Sequence, residues 1–319
     1  TLVWYWRGLV NYIQNKLPQA INDYSEAIAL DATYAKAWRN RGEAYYWAEK
    51  YDSAITDLSI ALLYDPKLIR ALYNRGMCYY YTSKQELAIK DFTAGLEIEP
   101  TNSDFFNSRG MCYLQLKKYD LALNDFNDAL RNNPTYTGAF VNRGNLYKRT
   151  GKKESAIADY TQALMNDSNQ LDALYNRGLL YNDLKKFDEA IIDFSKVLNQ
   201  LPQDVETFIF RGDAYTAVRK FNEAIKDYNA ALKIKPGYAI AMASRAVCYA
   251  KMGKSDLALK DFNEAVKMKA NSTYALTSRG SFYMDQGKYD LAIADFTEAL
   301  KVDSKAFDPR NNRGNAFHY

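Results

Sequence analysis

The sequence predicts an all-α fold in which antiparallel helix pairs stack side by side as a solenoid. The main observation is a repeat: an Arg-Gly pair begins at residues 7, 41, 75, 109, 143, 177, 211, 279 and 313, and Arg245-Ala246 fills the one gap. The spacing is 34 residues throughout, which indicates a repeat array. Each repeat also contains two stretches with helical periodicity. Such an array is elongated, because each repeat contacts only its neighbours.

The first predicted helix of each repeat has an apolar stripe at repeat positions 4, 8 and 11, numbered so that position equals residue number in the first 34 residues. These positions share one helical face. Position 4 is bulky and apolar, and position 11 is Tyr in the second to ninth repeats. The Gly between them costs about 1 kcal/mol relative to Ala inside a helix. We therefore expect this Gly to let a second helix approach closely.

The second predicted helix supplies the matching stripe. Position 20 is Ala in all nine complete repeats, and position 24 is aromatic in eight of them, with Leu58 as the exception. Small residues that face small residues, with large ones on either side, predict tightly packed helices. An acidic residue at position 18 favours a helix N-terminus, and Pro at position 32 ends the second helix in five repeats. One pair buries too little apolar surface to fold alone, so the repeats are expected to be stable only as an array.

Composition limits the classes of protein to consider. The chain has 42 basic and 38 acidic residues, and its net charge of +4 is too small to indicate nucleic-acid binding, although residues 205–272 carry twelve basic and seven acidic residues, a local +5. No apolar run approaches the ~20 residues of a membrane span and no signal peptide is visible, so no membrane partner is expected. Cys78, Cys112 and Cys248 all fall at position 10 and are expected to be buried helix residues. This usage favours the cytoplasm or another reducing compartment.

The repeat resembles the tetratricopeptide repeat, which has the same period, a bulky residue at position 4, Gly at 8, Tyr at 11, Ala at 20, an aromatic residue at 24, Ala at 27 and Pro at 32. The resemblance covers the whole chain as a single array. Its predicted repeats are 1–34, 35–68, 69–102, 103–136, 137–170, 171–204, 205–238, 239–272 and 273–306, with a partial or capping helix at 307–319. Because the chain begins without Met and ends part-way through a repeat, we expect it to be a piece of a longer protein.

Two positions depart from the family pattern. Position 7 is Arg in all ten units, where the family carries Leu, and position 23 is Asp in all nine complete repeats. Both positions flank the apolar stripes at the seam between helices. We expect a structural ladder of Arg–Asp ion pairs, either within each repeat or between the Asp of one repeat and the Arg of the next.

Arrays that this chain resembles form a right-handed superhelix whose first helices line a concave groove, and they are mostly protein–protein interaction scaffolds that hold extended peptides there. The helical wheel places positions 2, 5, 6, 9, 12 and 13 on this face. Position 6 carries a row of amides and hydroxyls that includes Asn40, Asn74, Ser108, Asn142 and Asn176. Such a row could bind a peptide backbone, as the asparagine ladder of some related superhelical proteins does. The alternative is that these side chains cap or solvate the groove.

The groove face of the first four repeats is rich in aromatic residues and Met. The predicted anchors are Tyr5, Tyr12, Tyr46, Trp47, Tyr73, Met77, Tyr80, Tyr81 and Met111, together with Trp6. Aromatic and Met side chains are frequent binding hot spots. We expect this stretch to take apolar side chains of a partner. The alternative is that the rings pack against one another or against upstream repeats.

Several functions are not expected. The family's chaperone carboxylate clamp is incomplete, because Asn145 and Asn176 match its middle but Val141 and Glu206 stand where it needs Lys. His318 is the one histidine, and no phosphate-binding glycine loop is present, so no catalytic site, cofactor or metal is expected. The chain is interpreted as a non-enzymatic scaffold for a protein or peptide that the sequence does not identify.

Two alternatives stay open beside the scaffold. The first is a nucleic-acid-binding helical repeat, which would rest on the +5 of residues 205–272 and on the 27 tyrosines. The second is the substrate-selecting arm of a larger enzyme. Self-association is a further possibility, because the ends of a repeat array expose apolar seams.

Overall fold

The computed structural model describes residues 1–268 and 272–318 of the chain. Within them the chain forms nineteen α-helices and no strand. The first ten are α1 (Leu2–Ile13), α2 (Leu17–Leu30), α3 (Ala35–Trp47), α4 (Tyr51–Tyr64), α5 (Ile69–Tyr81), α6 (Gln85–Ile98), α7 (Ser103–Gln115), α8 (Tyr119–Asn132), α9 (Thr137–Arg149) and α10 (Lys153–Asn166). The other nine are α11 (Leu171–Asp183), α12 (Phe187–Gln200), α13 (Val205–Ala217), α14 (Phe221–Ile234), α15 (Ala239–Lys251), α16 (Ser255–Lys267), α17 (Ser272–Asp285), α18 (Tyr289–Val302) and α19 (Phe307–Ala316).

The helices group into two compact units. Unit 1 is Thr1–Ser168 and contains α1 to α10, and unit 2 is Asn169–Tyr319 and contains α11 to α19. Odd-numbered helices are the first helices of the predicted repeats and even-numbered helices are the second ones. The predicted all-α fold of helix pairs is confirmed. The continuity of all ten repeats as one array stays a prediction.

The two helices of a pair approach most closely at position 8. In the third repeat, a Cβ atom added to Gly76 would lie 2.5 Å from the Phe92 ring at position 24. The ring is fully buried, so it occupies the space that a side chain at position 8 would need. The sequence prediction that Gly permits close helix approach is therefore confirmed at this pair.

The turn inside each pair depends on one residue in the left-handed region. This residue stands at position 15, where six of the nine repeats have a residue other than Gly and three have Gly: Lys117 has φ 58° and Gly151 has φ 77°. The following amide closes the helix end, as when Lys118 N donates to Tyr113 O at 2.9 Å. This is the Schellman arrangement, in which a left-handed residue ends the helix.

Each second helix also packs against the first helix of the next repeat. The residues at this interface are small, and Ala37, Ala71 and Cys78 are all fully buried. The other two cysteines, Cys112 and Cys248, are buried in the same way, and all three thiols are free. The expectation that the cysteines are buried helix residues is confirmed.

The Arg–Asp ladder forms within repeats. Arg109 Nε donates to Asp125 Oδ2 and Arg109 Nη2 donates to Asp125 Oδ1, both at 2.8 Å. The same contact joins eight more pairs: Arg7–Asp23, Arg41–Asp57, Arg75–Asp91, Arg143–Asp159, Arg177–Asp193, Arg211–Asp227, Arg245–Asp261 and Arg279–Asp295. Each pair therefore fastens the first helix of a repeat to its own second helix.

The remaining nitrogen of the same guanidinium links the repeat to the one before it. Arg41 Nη1 donates to Ser25 Oγ at 2.8 Å, and Arg109 Nη1 donates to Thr93 Oγ1 at 3.1 Å. The acceptor stands at position 25, which is Ser, Thr or Asn in every complete repeat. Sequence reasoning did not identify this acceptor. One arginine thus joins three helices through charge-assisted hydrogen bonds.

Candidate functional site

The first helices form the inner surface of each unit. Among the described residues, the first helices of consecutive repeats contact one another, as α3 and α5 do, whereas the second helices of consecutive repeats, such as α4 and α6, do not. Helices that lie closer together occupy the inner side of a curved stack. The side chains of the predicted groove face therefore project from this inner surface.

In unit 1, three of the four polar side chains at position 6 form hydrogen bonds with the preceding repeat. Asn40 is 5% exposed, and its Nδ2 donates to the hydroxyls of Tyr5 at 3.2 Å and Tyr24 at 3.4 Å. Its Oδ1 accepts from Arg39 Nη2 at 2.6 Å and from Arg39 Nε at 3.0 Å. The amide of Asn40 is therefore fully engaged inside the chain.

The same pattern continues along unit 1. Ser108 Oγ donates to the Tyr73 hydroxyl at 3.4 Å, and Asn142 Nδ2 donates to Asn107 Oδ1 at 2.9 Å. In each case position 6 of one repeat contacts position 5 of the repeat before it. Asn176 is half-buried in unit 2. The row of amides thus contributes to packing between repeats, and its contact with a peptide stays a prediction.

Asn74 is the exception in this row. It is 8% exposed, and its amide has no hydrogen-bond partner in the described part of the chain. Position 5 of the preceding repeat is Arg39, which contacts Asn40 instead. Position 24 of that repeat is Leu58, which has no hydroxyl. In the first repeat the Tyr24 hydroxyl at this position accepts a hydrogen bond from Asn40. The amide atoms of Asn74 are not fully buried, because within the described residues only Asn182 Oδ1 is both fully buried and unpartnered. The Asn74 amide therefore remains open to solvent and to a ligand.

Asn74 lines a cavity of about 310 Å³ on the inner surface, between α3, α5 and α7. Trp47 and Tyr73 supply ring faces, and Glu43, Arg70 and Asp104 supply charges. Trp47 is 62% exposed. The cavity thus combines an unsatisfied amide, an open aromatic ring and three ionisable groups.

Glu43 is the most buried of these charges. It is 6% exposed, and its Oε1 accepts from the Tyr12 hydroxyl and from Arg70 Nη2, both at 3.1 Å. The Arg70 side chain is 68% exposed. Burial, and secondarily the Glu43 carboxylate, raises the pKa of Tyr12 to about 12, so Tyr12 is a neutral donor at physiological pH.

The predicted aromatic and Met anchors fall into two groups. Tyr5 and Met77 are buried, and Tyr12, Tyr46, Tyr73, Tyr80 and Met111 are half-buried. Trp6, Trp47 and Tyr81 are mostly exposed, although Tyr81 stacks on Tyr51 with ring centres 5.3 Å apart. Packing within the chain therefore accounts for most of the set, and Trp6, Trp47 and Tyr81 retain the surface that a partner could cover.

The inner surface of unit 2 has a different character. In the repeats 171–204 and 205–238, its six predicted groove positions carry four acidic residues and no Lys or Arg. Asp213 is one of them, and its Oδ1 accepts from the Tyr228 hydroxyl at 2.7 Å. The local +5 of residues 205–272 therefore lies mainly away from this surface.

Comparison with protein families identifies the repeat. Models described as tetratricopeptide repeat or TPR repeat match residues 8–47, 69–102, 103–136, 137–170, 171–204, 211–275 and 280–318. The chain belongs to the tetratricopeptide repeat (TPR) family. Several matched segments have the bounds that the sequence period gives, such as 103–136. TPR proteins are typically protein-interaction scaffolds, and in this general sense the chain is one.

Solved structures share the fold. A TPR protein from Parabacteroides merdae is 22% identical, with a TM-score of 0.56 over 78% of this chain and 98% of that one. The C-terminal part of a TPR protein from Cytophaga hutchinsonii is 22% identical, with a TM-score of 0.59 over 75% and 98%. A chain of the APC/C hetero-tetramer Cut9–Hcn1 is 15% identical, with a TM-score of 0.55 over 98% and 75%. A search of curated protein sequences found no significant match.

The three charged residues of the cavity were absent from the predicted site. Glu43, Arg70 and Asp104 stand at positions 9 and 2, which the helical wheel had already placed on the groove face. A search for charges at these positions would have found them. Within the described residues, no helix is long and apolar enough to cross a membrane, and no three metal-binding side chains cluster.

Proposed function

We propose that the inner surface of unit 1 binds an extended segment of a partner protein. The observation that carries the proposal is Asn74, a residue 8% exposed whose amide has no partner among the described residues and lines an open cavity. An amide can donate to a backbone carbonyl and accept from a backbone N–H at once. Asn74 is therefore a better candidate for this contact than Asn40, whose amide is already engaged.

Exposed aromatic surface supports the same proposal. Trp47 lines the cavity from α3, and Tyr81 is exposed at the end of α5, where its ring stacks on Tyr51. Aromatic side chains of this kind dominate binding free energies, often by about 2 kcal/mol or more each. Tyr80 is half-buried against Tyr81, and Met111 is half-buried at a predicted groove position of α7. The partner segment would lie across several first helices.

The test is selection of binding peptides from a displayed random library, followed by affinity measurement on variants. The double variant Trp47→Ala and Tyr81→Ala is expected to lower the affinity for the selected peptides by at least about tenfold. The matched control is Leu63→Ala with Tyr64→Ala, which removes two exposed apolar side chains from α4. Binding that survives the first double variant, or is lost in the control, would place the binding surface elsewhere.

Nucleic-acid binding is not favoured by the structure. The inner surface of the repeats that carry the local positive charge includes Glu206 and Asp213, with Lys251 as the one basic residue at their predicted groove positions. An acidic inner surface repels phosphates. A salt titration with single-stranded RNA tests this, because counterion release would make any binding fall steeply with salt.

A further inference from the structure

We infer that the cavity at Asn74 is a pocket for an arginine side chain of the partner segment. This inference rests on the proposed function and specifies one residue of the ligand. The residues that line the cavity include Glu43, Trp47, Arg70, Tyr73, Asn74 and Asp104. Their hydrogen-bonding capacity, charge and ring faces each restrict what the pocket can hold.

The unpartnered amide excludes a purely apolar occupant. Asn74 is already removed from most of the solvent, and an apolar side chain over it would bury the amide completely without a hydrogen bond. Such burial is unfavourable, because the amide would lose the solvent that now reaches it and gain no hydrogen bond in return. A guanidinium instead offers N–H donors to the Asn74 carbonyl oxygen, so the occupant completes the hydrogen bonding of the pocket.

The charges favour a cation. Glu43 and Asp104 provide two carboxylates, and Arg70 provides one guanidinium that already donates to Glu43. An acidic side chain would place a third carboxylate near one guanidinium. Asp104 stands in the first turn of α7, where it is exposed and lines the cavity. A cation that enters the cavity therefore meets a carboxylate that solvent still reaches.

The rings favour arginine over lysine. A planar guanidinium stacks on an aromatic face while its edge donates hydrogen bonds, which an ammonium group cannot do. The chain already uses this arrangement in its own packing: Arg7 Cζ lies 4.2 Å from the centre of the Trp4 ring, and Arg41 Cζ lies 4.8 Å from that of Trp38. In the pocket, the exposed Trp47 ring is the corresponding surface.

The probes are four capped pentapeptides, Ala-Ala-X-Ala-Ala, in which X is Arg, Lys, Glu or Leu. Titration into the isotope-labelled chain is followed by NMR at the Asn74 side-chain amide and the Trp47 indole N–H. We expect the Arg peptide to shift both signals and to bind about tenfold more tightly than the Glu or Leu peptide. Tighter binding of the Glu or Leu peptide, or no binding at millimolar concentrations, would overturn the inference.

Two variants test the pocket without removing its core. Asp104→Asn keeps the shape and is expected to weaken the Arg peptide about fivefold, while Asp172→Asn, at the same repeat position in unit 2, is the control and leaves affinity unchanged. Leu58→Tyr restores the hydroxyl that Tyr24 supplies to Asn40. The introduced hydroxyl is expected to form a hydrogen bond with the Asn74 amide and so to weaken binding of the Arg peptide. Unchanged affinity in both Asp104→Asn and Leu58→Tyr would overturn the inference.

The same variants separate this inference from the proposed function. Suppose that the library-selected peptides lack a basic residue and lose affinity in the Trp47 and Tyr81 variants but not in Asp104→Asn. This result would contradict the arginine pocket and leave the proposed binding surface standing. Selected peptides whose affinity is unchanged in all of these variants would contradict both proposals.

Discussion

Arg109→Leu is expected to destabilise α7 and α8 by about 3–5 kcal/mol, because it leaves a buried carboxylate without its cation. The Asp125 side chain is 7% exposed, and Arg109 donates two hydrogen bonds to it at 2.8 Å. Water cannot replace both donors at that depth. The variant also loses the bond from Nη1 to Thr93, which adds about 1 kcal/mol.

The loss should depend on pH in a defined direction. Burial, opposed by Arg109, already raises the pKa of Asp125, and removal of the guanidinium raises it further in the folded chain. A carboxyl group whose pKa is higher in the folded state binds a proton more readily in that state. The free-energy cost of burying its charge is therefore full above the folded-state pKa, and it decreases as the pH falls through that pKa. The deficit of the variant should therefore be largest near pH 7 and smaller near about pH 4.

Hydrogen exchange of α7 and α8, together with urea unfolding at both pH values, measures the effect locally, which suits an array that can unfold in parts. The second variant, Arg109→Leu with Asp125→Leu, removes the isolated charge and should recover much of the loss. Arg7→Leu is the milder comparison, because Asn11 Nδ2 also donates to Asp23 at 2.8 Å. Wild-type stability in Arg109→Leu, or an equal deficit at both pH values, would refute the reasoning.

Two further predictions test packing. Thiol reagents should leave the folded chain unlabelled at mildly alkaline pH, because Cys78 and Cys112 are fully buried and burial raises the pKa of each thiol to about 12; mass spectrometry that finds either one labelled before unfolding would contradict this. Gly76→Ala should lower the thermal midpoint, because its Cβ would meet the Phe92 ring, whereas Gly314→Ala, at the same repeat position with no atom within 4 Å, should stabilise its helix by about 1 kcal/mol. Equal effects of the two substitutions would show that close approach is not the reason for the Gly.

The fold was predictable because its determinants repeat at fixed spacing along the chain. Gly at position 8 and a ring at position 24 are 16 residues apart in the sequence, and in the structure they touch, as Gly76 and Phe92 do. The acceptor at position 25 was missed although it also repeats. Its residue type varies among Ser, Thr and Asn, and its role becomes visible only when α3 is placed beside α2, so that Arg41 reaches Ser25.

The candidate site was less predictable. A helical wheel gives the direction of a side chain, but it does not show which neighbour will meet it. Asn40 and Asn74 occupy the same repeat position and are both buried, yet only the first is hydrogen-bonded. The wheel therefore indicates which residues share a face, but it cannot separate residues that hold repeats together from those that are free to bind.

The difference between these two asparagines arises from two substitutions in the second repeat. Position 5 changes from Tyr5 to Arg39, whose guanidinium binds Asn40 beside it, and position 24 changes from Tyr24 to Leu58, the one residue at that position without a ring. Either change alone would leave Asn74 with a hydroxyl on the preceding repeat, as Asn40 has. Both occur together, next to the exposed ring of Trp47 and the cavity. The Asn74 amide thus keeps its donors and its acceptor open toward the cavity, whereas those of Asn40 are used inside the chain. This difference is why a peptide contact is proposed at Asn74 and not at Asn40.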